Sequence, residues 1–486
     1  MTDTELAEMT SAELTQIIRQ QEATIARLEA EVAELEAQVA RLKSQLEEAQ
    51  RAGKRQATPF SKEEPKAHPR QPGQKKGHPA AHRALPDHVD RVEEAPLPER
   101  CPRCGGQMIE DEVQIQYQVD IPRPIPILVT QFNVHVGHCE ACHKRVQGRH
   151  AEQTSDALGA AAVQIGPQAI GLACEMKHGL GVSYGKVAHF FRRGFGLGLQ
   201  RSTVCRADLR LARKVEPTYD RLILRLRQSE VVYADETGWK VAGGKAWLWV
   251  FTNDEVSVYV IDPTRAHEVV ERILGEDFRG ILKCDCFLAY DALDYQQSKC
   301  VGHLLRRCAE LMEGKSGQAV CFSQQVAKIL RAAITLKERR TTMSPHGYAV
   351  ACGRLEAAMN RLLASQDTDP DNARLAKLLR KHRQQLFTFL YVEAVAPTNN
   401  DAEREIRPAV IIRKTNGCNR SDAGATTHSI LSSVIRTCQK HNHDFVNVAK
   451  QVMRSPEAIA VDVASDTDDA LEVQPIPTFP QEAQGP

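Results

Sequence analysis

Apolar residues recur with a heptad period through residues 12–50. The two core positions hold Ile18, Ile25, Val32, Val39 and Leu46, and Leu14, Leu28, Leu35 and Leu42. β-branched residues at the first position and leucine at the second favour a parallel two-stranded coiled coil. Charged residues fill most other positions, which argues against a lone amphipathic helix packed on its own chain. We therefore expect residues 1–50 to form a coiled coil and to make the protein a homo-oligomer.

Residues 229–299 show a different pattern, in which short β-prone runs are joined by turn signals. The first run ends at Asp235, and two more follow around the hairpin signal Gly243-Gly244. A helical segment and a further run that ends at Asp285 complete the stretch. This order of elements matches the RNase H-like plan, in which the strands bearing the two acids would be neighbours.

Residues 156–228 have the periodicity of helices. The third helical segment begins at Ser202 and carries Arg206, Arg210 and Arg213 on one face, opposite an apolar stripe. Two helices, a short glycine-containing turn and a basic face favour a helix-turn-helix-like DNA-binding region. A helical connector with a solvated basic face explains the pattern equally well.

Helical periodicity returns in residues 300–396, which are too many for a simple connection. We expect an inserted helical subdomain between the first part of the α/β core, 229–299, and its C-terminal part, 397–454. In that last part a helix opens with Asn399 as its cap and is expected to end near Pro408.

Charge is segregated along the chain, although its net value is only +1. Proline, glycine, histidine and basic residues, including Lys75 and Lys76, dominate residues 51–100. Such a linker cannot bury a core, and its charge favours contact with a DNA backbone. A solvated spacer without a partner is an equally good explanation. Residues 455–486 are acidic and are expected to be a disordered tail.

Four of the fourteen cysteines form two Cys-x-x-Cys pairs. Cys101 and Cys104 are the first pair, and Cys139 and Cys142 are the second. Two such pairs complete a closed tetrahedral site for a structural Zn²⁺. Apolar residues alternate between the pairs at Val113, Ile115, Tyr117 and Val119, and again at Phe132, Val134 and Val136, which predicts strands. We therefore expect residues 101–150 to form a small zinc-binding β module.

The hydrophobic pattern argues against membrane association. No run approaches the roughly 18 apolar residues that a spanning helix needs, and no basic start precedes an apolar stretch. We therefore expect a cytoplasmic protein in which the other cysteines are reduced.

Asp235, Asp285 and Glu403 carry the candidate chemistry. The first two follow β-prone runs, and the third lies in the first turn of a helix. Oxygen ligands held on rigid elements suit a pair of Mg²⁺ or Mn²⁺ ions and metal-dependent cleavage and joining of phosphodiesters. Glu236, Asp401 and Glu405 are the nearest rivals, and Glu236 and Glu405 are expected to face away from the candidate acids.

Three motifs together resemble the DDE transposases of the insertion-sequence sixty-six family. They are Ala234-Asp235-Glu236-Thr237-Gly238-Trp239, Cys300-x-x-His303-x-x-Arg306-Arg307, and Asn399-Asn400-x-Ala402-Glu403-Arg404 followed by Arg413-Lys414. The heptads, the basic linker and the cysteine pairs extend the resemblance over nearly the whole chain. An ordinary packed helix start is the plainer explanation of the second motif.

The resemblance implies a multidomain α+β protein with an RNase H-like core and cut-and-join activity at the ends of a bacterial mobile element. Asp235, Asp285 and Glu403 would be the catalytic triad. Further residues are expected to support the active site or to contact DNA: Cys300, His303, Arg306 and Arg307, and Arg404, Arg407, Arg413 and Lys414, the last two on a glycine-rich loop.

The expected partners are double-stranded DNA, as element ends and target, and accessory proteins of the same element. Two other functions fit the same sequence. One is a domesticated DNA-binding regulator that does not cleave, and the other is a nuclease that cuts without joining.

Overall fold

The computed structural model divides the chain into two units, Met1–Val119 and Asp120–Pro486. The residues that it describes are 16, 19–22, 24–25, 27–32, 34–36, 38–39, 86, 88–89, 92–118, 125, 127–313, 315, 317–365 and 369–465. Most of the predicted basic linker, with Lys75 and Lys76, lies outside them.

The first unit contains helical residues between 16 and 39. The predicted heptad core positions described there are about half exposed: Ile25 54%, Leu28 49%, Val32 54%, Leu35 54% and Val39 50%. They form an apolar stripe, which is the surface that a coiled-coil partner would cover.

Each Cys-x-x-Cys pair forms a tight turn with the same hydrogen bonds. The amide of Cys101 donates to the carbonyl of Gly106 at 2.9 Å, and the amide of Gly105 donates back to the carbonyl of Cys101 at 2.8 Å. The equivalent bonds around Cys139 are 3.0 and 2.8 Å long. Backbone amides within the turns lower the pKa of the Cys101 and Cys139 thiols, because they favour the thiolate. The two pairs belong to different units, and the four-cysteine zinc site stays a prediction.

The β structure around these turns is smaller than predicted. Two strands, β1 (Val136–His138) and β2 (Arg145–Gln147), pair antiparallel on either side of the second turn. The predicted strand through Val113 and Ile115 is wrong, because residues 111–118 contain no strand and these side chains are 74% and 78% exposed. Alternation alone does not form a strand when no neighbouring strand takes its hydrogen bonds.

A mixed five-stranded sheet forms the centre of the second unit. Its strands are β3 (Val231–Val241), β4 (Gly244–Thr252), β5 (Ser257–Asp262), β6 (Ile281–Cys284) and β7 (Gln296–Lys299). The spatial order is β5-β4-β3-β6-β7, in which β3 to β5 are antiparallel and β6 and β7 run parallel to β3. The predicted adjacency of the strands that lead to Asp235 and Asp285 is confirmed. Strand β7 was not predicted, because its sequence Gln-Gln-Ser-Lys is polar.

Helices cover both faces of the sheet, which makes the chain a mixed α+β protein. They are α1 (Pro167–Cys174), α2 (Tyr184–Phe195), α3 (Arg201–Arg227), α4 (His267–Leu274), α5 (Leu288–Asp291), α6 (Val301–Glu313), α7 (Cys321–Glu338), α8 (Pro345–Ala364), α9 (Pro370–Lys381), α10 (Thr388–Tyr391), α11 (Asn400–Asn416), α12 (Asp422–Lys440) and α13 (Phe445–Arg454). A π-helical turn, Glu175–Gly179, continues α1.

The sheet separates two hydrophobic cores, and alternation along β3 decides which side chain enters each. Val232 and Ala234 join the core that α3, α4, α12 and α13 cover. Val231 and Tyr233 join the opposite core, which α6 to α11 cover. Residues of the predicted helical insertion, 300–396, therefore cover one face of the sheet.

Three predicted boundaries are wrong. Helix α3 begins at Arg201, and Ser202 is not its cap. Helix α11 does not end near Pro408 but continues to Asn416. Proline removes one backbone hydrogen bond, but buried side chains before and after it, such as Ile406 and Ile412, keep the helix packed on the core.

The third wrong boundary is the start of the acidic tail. Val461 and Val463 are each 1% exposed and pack in the core beside α3. Arg225 of α3 donates to both carboxylate oxygens of Asp462, at 2.9 and 2.7 Å. Composition did not predict the packing of this segment, because only a few apolar residues of the acidic stretch contact the core. Residues 466–486 lie outside the described part of the chain.

None of the described helices is long and apolar enough to cross a lipid bilayer.

Candidate active site

Asp235 and Asp285 follow the same pair of residues on adjacent parallel strands. Tyr233 of β3 is paired with Lys283 of β6, and each acid lies two residues further along. Asp235 is in the middle of its strand rather than at the end, since β3 continues to Val241 while β6 stops at Cys284. Two residues return a strand to the same face, so Asp235 faces the helical insertion together with Tyr233.

Asp235 is partly buried beside other acids. Burial, followed by the charges of Glu236 and Asp285, raises its pKa to about 7. His303 and the amide of Glu236 act in the opposite direction, and that amide donates to Oδ1 of Asp235 at 2.9 Å. Repulsion between neighbouring carboxylates is what a bound cation would relieve.

Glu403 reaches the site from the first turn of α11. One of its carboxylate oxygens lies 3.8 Å from Nδ1 of His303 in the first turn of α6. The Cys300 thiol, with Asp285 and Glu403, raises the pKa of His303 to about 9, although burial opposes the change. His303 is therefore close to Glu403 and within electrostatic range of Asp235 and Asp285. In the described part of the chain, the three acids do not themselves form a cluster of ligand atoms within 4.8 Å of one another.

Cys300 lies immediately before α6 and beside His303. One donor atom each from Cys300, His303 and Glu403 lies within 4.8 Å of the other two. Burial opposes ionisation of the thiol, but the interaction with His303 outweighs it and lowers the pKa of Cys300. The second motif therefore contributes two side chains to the site, whereas Arg306 and Arg307 are exposed on the next turn of α6.

Asn399 anchors α11 to the strand that carries Asp235, a role that sequence reasoning missed. We predicted a helix cap, but its side chain makes no capping bond. The side-chain amide instead donates to the carbonyl of Ala234 at 2.8 Å. The backbone amide of Asn399 donates to the sulfur of Cys300 at 3.2 Å, and the amide of Cys300 donates to the carbonyl of Cys284 at 2.8 Å. These bonds connect β3, β6 and α11 around the candidate site.

Lys283 is a second residue that was missed. It is fully buried, and its Nζ donates to Ser298 Oγ at 3.1 Å and to the carbonyls of Lys299 and Pro397 at 3.0 and 3.1 Å. Burial lowers its pKa to about 8. Three acceptors satisfy the three N–H groups of an ammonium. Lys283, two residues before Asp285, therefore holds β7 and the segment that precedes α11 in place.

Two of the three rival acids, Glu236 and Glu405, face away from the site, as predicted, and the third, Asp401, pairs with Arg404 at 3.4 Å. Glu236 accepts from Nε of Arg265 at 2.9 Å and from the Tyr290 hydroxyl at 2.6 Å. Glu405 accepts two bonds of 3.0 Å from the guanidinium of Arg436. Arg436 outweighs burial and lowers the pKa of Glu405, whereas burial and the charge of Asp285 raise the pKa of Glu236 despite its bonds to Tyr290 and Arg265.

The predicted DNA contacts on α3 fall on a small three-helix group. Helices α1 to α3 share a core that includes Phe191 and Val204, and five residues connect α2 to α3, beginning with Gly196 at φ 69°. Arg206 and Arg213 are exposed. Arg210 is partly buried, and its guanidinium donates to the side chain of Gln164 at 3.4 Å.

The predicted DNA contacts on α11 also include both exposed residues and one that bonds within the protein. Arg404 and Arg407 are exposed. Arg413 and Lys414 lie in the last turn of the helix and not on a loop, because the helix is longer than predicted. Arg413 donates to Thr237 Oγ1 at 3.0 Å and to the carbonyl of Gly238. It therefore connects α11 to β3.

Comparison with protein families identifies the class to which this fold and site belong, that of the transposases. The chain belongs to the Transposase IS66 family, whose model matches residues 162–427. The match extends from just before α1 into α12 and includes the sheet, the insertion and all three candidate acids. The resemblance inferred from the motifs is confirmed.

Two proteins of Sinorhizobium fredii (strain NBRC 101917 / NGR234) are similar to this chain. "Uncharacterized protein y4qI" is 23% identical over 289 residues, which cover 53% of this chain and 53% of that protein. "Uncharacterized protein y4jD" is 23% identical over 276 residues, which cover 51% and 54%. The chain thus spans about half the length of the curated relatives it matches, and neither name states an activity.

Proposed function

We propose that this protein is a DDE transposase that binds the ends of a mobile element and catalyses metal-dependent DNA strand cleavage and strand transfer. The observation that carries the proposal is that Asp235 and Asp285 occupy equivalent positions after adjacent parallel strands, with Glu403 on the helix that Asn399 anchors beside Asp235. The strand order β5-β4-β3-β6-β7, with a helical insertion before α11, supports an RNase H-like core.

The donor set fits Mg²⁺ or Mn²⁺. Asp235, Asp285 and Glu403 supply the hard oxygen ligands that these ions prefer. Burial, followed by repulsion from neighbouring carboxylates, raises the pKa of Asp235, and a bound cation would relieve that repulsion. All three residues would hold the ions. When bound, a pair of such ions activates the attacking water or 3′-hydroxyl and stabilises the entering and leaving oxygens.

The contribution of the chain itself is rigid placement of these carboxylates. Asn399 holds α11 against Ala234, next to Asp235, and Lys283 holds the segment before α11 against β7. Catalytic groups must be kept within roughly 0.5 Å of their productive positions, which requires locked supporting side chains. The buried bonds around Asn399 and Lys283 meet that requirement.

The remaining segments are assigned to DNA binding and assembly. Exposed Arg206 and Arg213 on α3, and Arg404 and Arg407 on α11, would contact DNA phosphates. Arg210 and Arg413 are left out of this set, because they are partly buried and bond to distant parts of the chain. The Cys-x-x-Cys turns would hold a structural Zn²⁺, and the apolar stripe between residues 16 and 39 would pair two copies of the chain.

The test uses labelled DNA from the borders of the element that encodes the chain, with the full-length protein and Mg²⁺. We expect cleaved products and joined products from the wild type. Asp235→Asn should lower cleavage by at least about 10³-fold, a loss of about 4 kcal/mol of transition-state stabilisation, and should leave border binding nearly intact.

Asp262→Asn is the matched control. Asp262 ends β5 in the same sheet and pairs with Arg272 at 2.7 Å, so cleavage should persist after this change. Binding without any cleavage by the wild type would favour the regulator, and cleavage without joined products would favour the nuclease.

A further inference from the structure

Cys300, His303 and Glu403 form a mixed sulfur, nitrogen and oxygen donor set beside the carboxylates. We propose that this set binds a thiophilic divalent cation of the Zn²⁺ type, and that the bound ion withdraws Glu403 from Asp235 and Asp285. The binding half of the proposal concerns these three side chains alone. The inhibitory half rests on the proposed function.

The spacing of the donors is close to that of a zinc site. Nδ1 of His303 and a carboxylate oxygen of Glu403 are 3.8 Å apart, and all three donor atoms lie within 4.8 Å of one another. Tetrahedral zinc with bonds of about 2.0–2.3 Å separates its ligand atoms by about 3.3–3.6 Å. The donors therefore need to approach by at most roughly 1.5 Å.

Two of the three side chains are free to make that movement. The side chains of His303 and Glu403 are 31% and 38% exposed. Cys300 is 1% exposed, and its sulfur is held by the amide of Asn399. The thiol therefore has a fixed position, and the imidazole and the carboxylate can rotate toward it.

His303 supplies an independent sign of a missing ligand. Its Nδ1 is buried and has no hydrogen-bond partner among the residues that the structure describes. Buried polar atoms are nearly always paired, so an exception next to a thiol and a carboxylate indicates a position that a cation would satisfy. Cys300 and His303 are three residues apart at the start of α6, which lets both reach one ion.

The chemistry of the donors separates this set from the carboxylate site. A sulfur and an imidazole nitrogen prefer Zn²⁺ to Mg²⁺, whereas carboxylates alone suit Mg²⁺. Glu403 belongs to both sets and can serve only one at a time. Zn²⁺ should therefore inhibit in the presence of a large excess of Mg²⁺.

Co²⁺ absorption tests the binding half, because a cobalt–thiolate bond gives a charge-transfer band in the near ultraviolet. The full chain, purified with Zn²⁺ in its cysteine turns, is titrated with Co²⁺. We expect a band that Zn²⁺ displaces and excess Mg²⁺ does not, and that is lost in Cys300→Ser and weakened in His303→Gln. Any cobalt that enters the cysteine turns contributes equally to all variants, so its absorption cancels when the spectrum of a variant is subtracted from that of the wild type.

Cys308→Ser is the matched control, since Cys308 is a buried cysteine of the same helix outside the donor set. It should keep the band. Absence of the band in the wild type, or an equal band in Cys300→Ser, would overturn the site.

Cleavage in Mg²⁺ with increasing Zn²⁺ tests the inhibitory half. We expect the Zn²⁺ concentration that halves the rate to rise at least about 10-fold in Cys300→Ser, which corresponds to about 1.4 kcal/mol. An unchanged midpoint would overturn inhibition through this set. If the wild type does not cleave in Mg²⁺ at all, the proposed function fails, while the cobalt titration still decides whether the site exists.

Discussion

Asp235 and Glu236 are consecutive residues of β3, and yet their surroundings are opposite. The charges that act on Asp235 are those of Glu236, Asp285 and His303. On the other face of the sheet, Glu236 pairs with the guanidinium of Arg265 and accepts a hydrogen bond from the Tyr290 hydroxyl. Burial is common to both residues, so burial alone does not distinguish a candidate catalytic acid. The distinction is whether the protein supplies the compensating charge.

The same contrast holds for the other acids near the sheet. Glu405 is paired with Arg436, and Asp262 with Arg272. Glu403, by contrast, has as its nearest ion-pair partner a histidine at 3.8 Å. Of these three acids, Glu403 is the one without an arginine partner among the described residues, and it is the one that the motifs select.

The largest effect is expected for Arg265→Met. The change leaves Glu236, whose side chain is 2% exposed, without its cation. Loss of one partner of a buried pair should lower the free energy of unfolding by about 3–5 kcal/mol. Urea unfolding of the full chain measures this loss in the free energy of unfolding. Arg272→Met is the control and should cost about 1 kcal/mol or less, because that arginine is 55% exposed; equal losses would contradict the contrast.

In buffer without Mg²⁺ or Mn²⁺, Asp235→Asn should raise the free energy of unfolding rather than lower it. The pKa of Asp235 is about 7 in the folded protein and about 3.9 in an unfolded chain. The group therefore favours the folded state at low pH, and this contribution is lost as the pH rises from about 4 to 7. The variant should exceed the wild type in stability by roughly 2–4 kcal/mol at pH 8, and by less at pH 5. A difference independent of pH would refute this account.

Mg²⁺ should narrow that difference in stability through the same residue. At about 100 times its Kd, a ligand that binds only the folded state adds about 2.7 kcal/mol of stability. We expect thermal unfolding to show a gain of about 1–3 kcal/mol for the wild type in Mg²⁺ and almost none for Asp235→Asn. Equal gains in both proteins would mean that the ions bind elsewhere.

The smallest effect is expected for Tyr290→Phe. It removes the 2.6 Å hydrogen bond to Glu236 but leaves Arg265 in place. Stability should fall by about 1–2 kcal/mol, and cleavage of border DNA should stay within about threefold. If cleavage instead fell as far as in Asp235→Asn, Glu236 would belong to the catalytic group.

The sequence predicted the adjacency of the two aspartate strands, because a meander of β-prone runs leaves few ways to arrange a sheet. It did not predict the bonds that hold the site together. Asn399 and Ala234 are 165 positions apart, and Lys283 and Pro397 are 114 positions apart. Neither contact has a local signature. Helix α11 passes through Pro408 for a similar reason, since packing in the core overrides a local preference.

All three tryptophans of the chain, Trp239, Trp247 and Trp249, lie on β3 and β4. The guanidinium of Arg265 lies 4.6 Å from the ring centre of Trp247, and Trp239 stacks on His428 with ring centres 5.6 Å apart. Indole emission from this protein therefore originates only in the sheet that carries Asp235. It offers a label-free optical signal for events at that sheet, without a contribution from the helices or the cysteine turns.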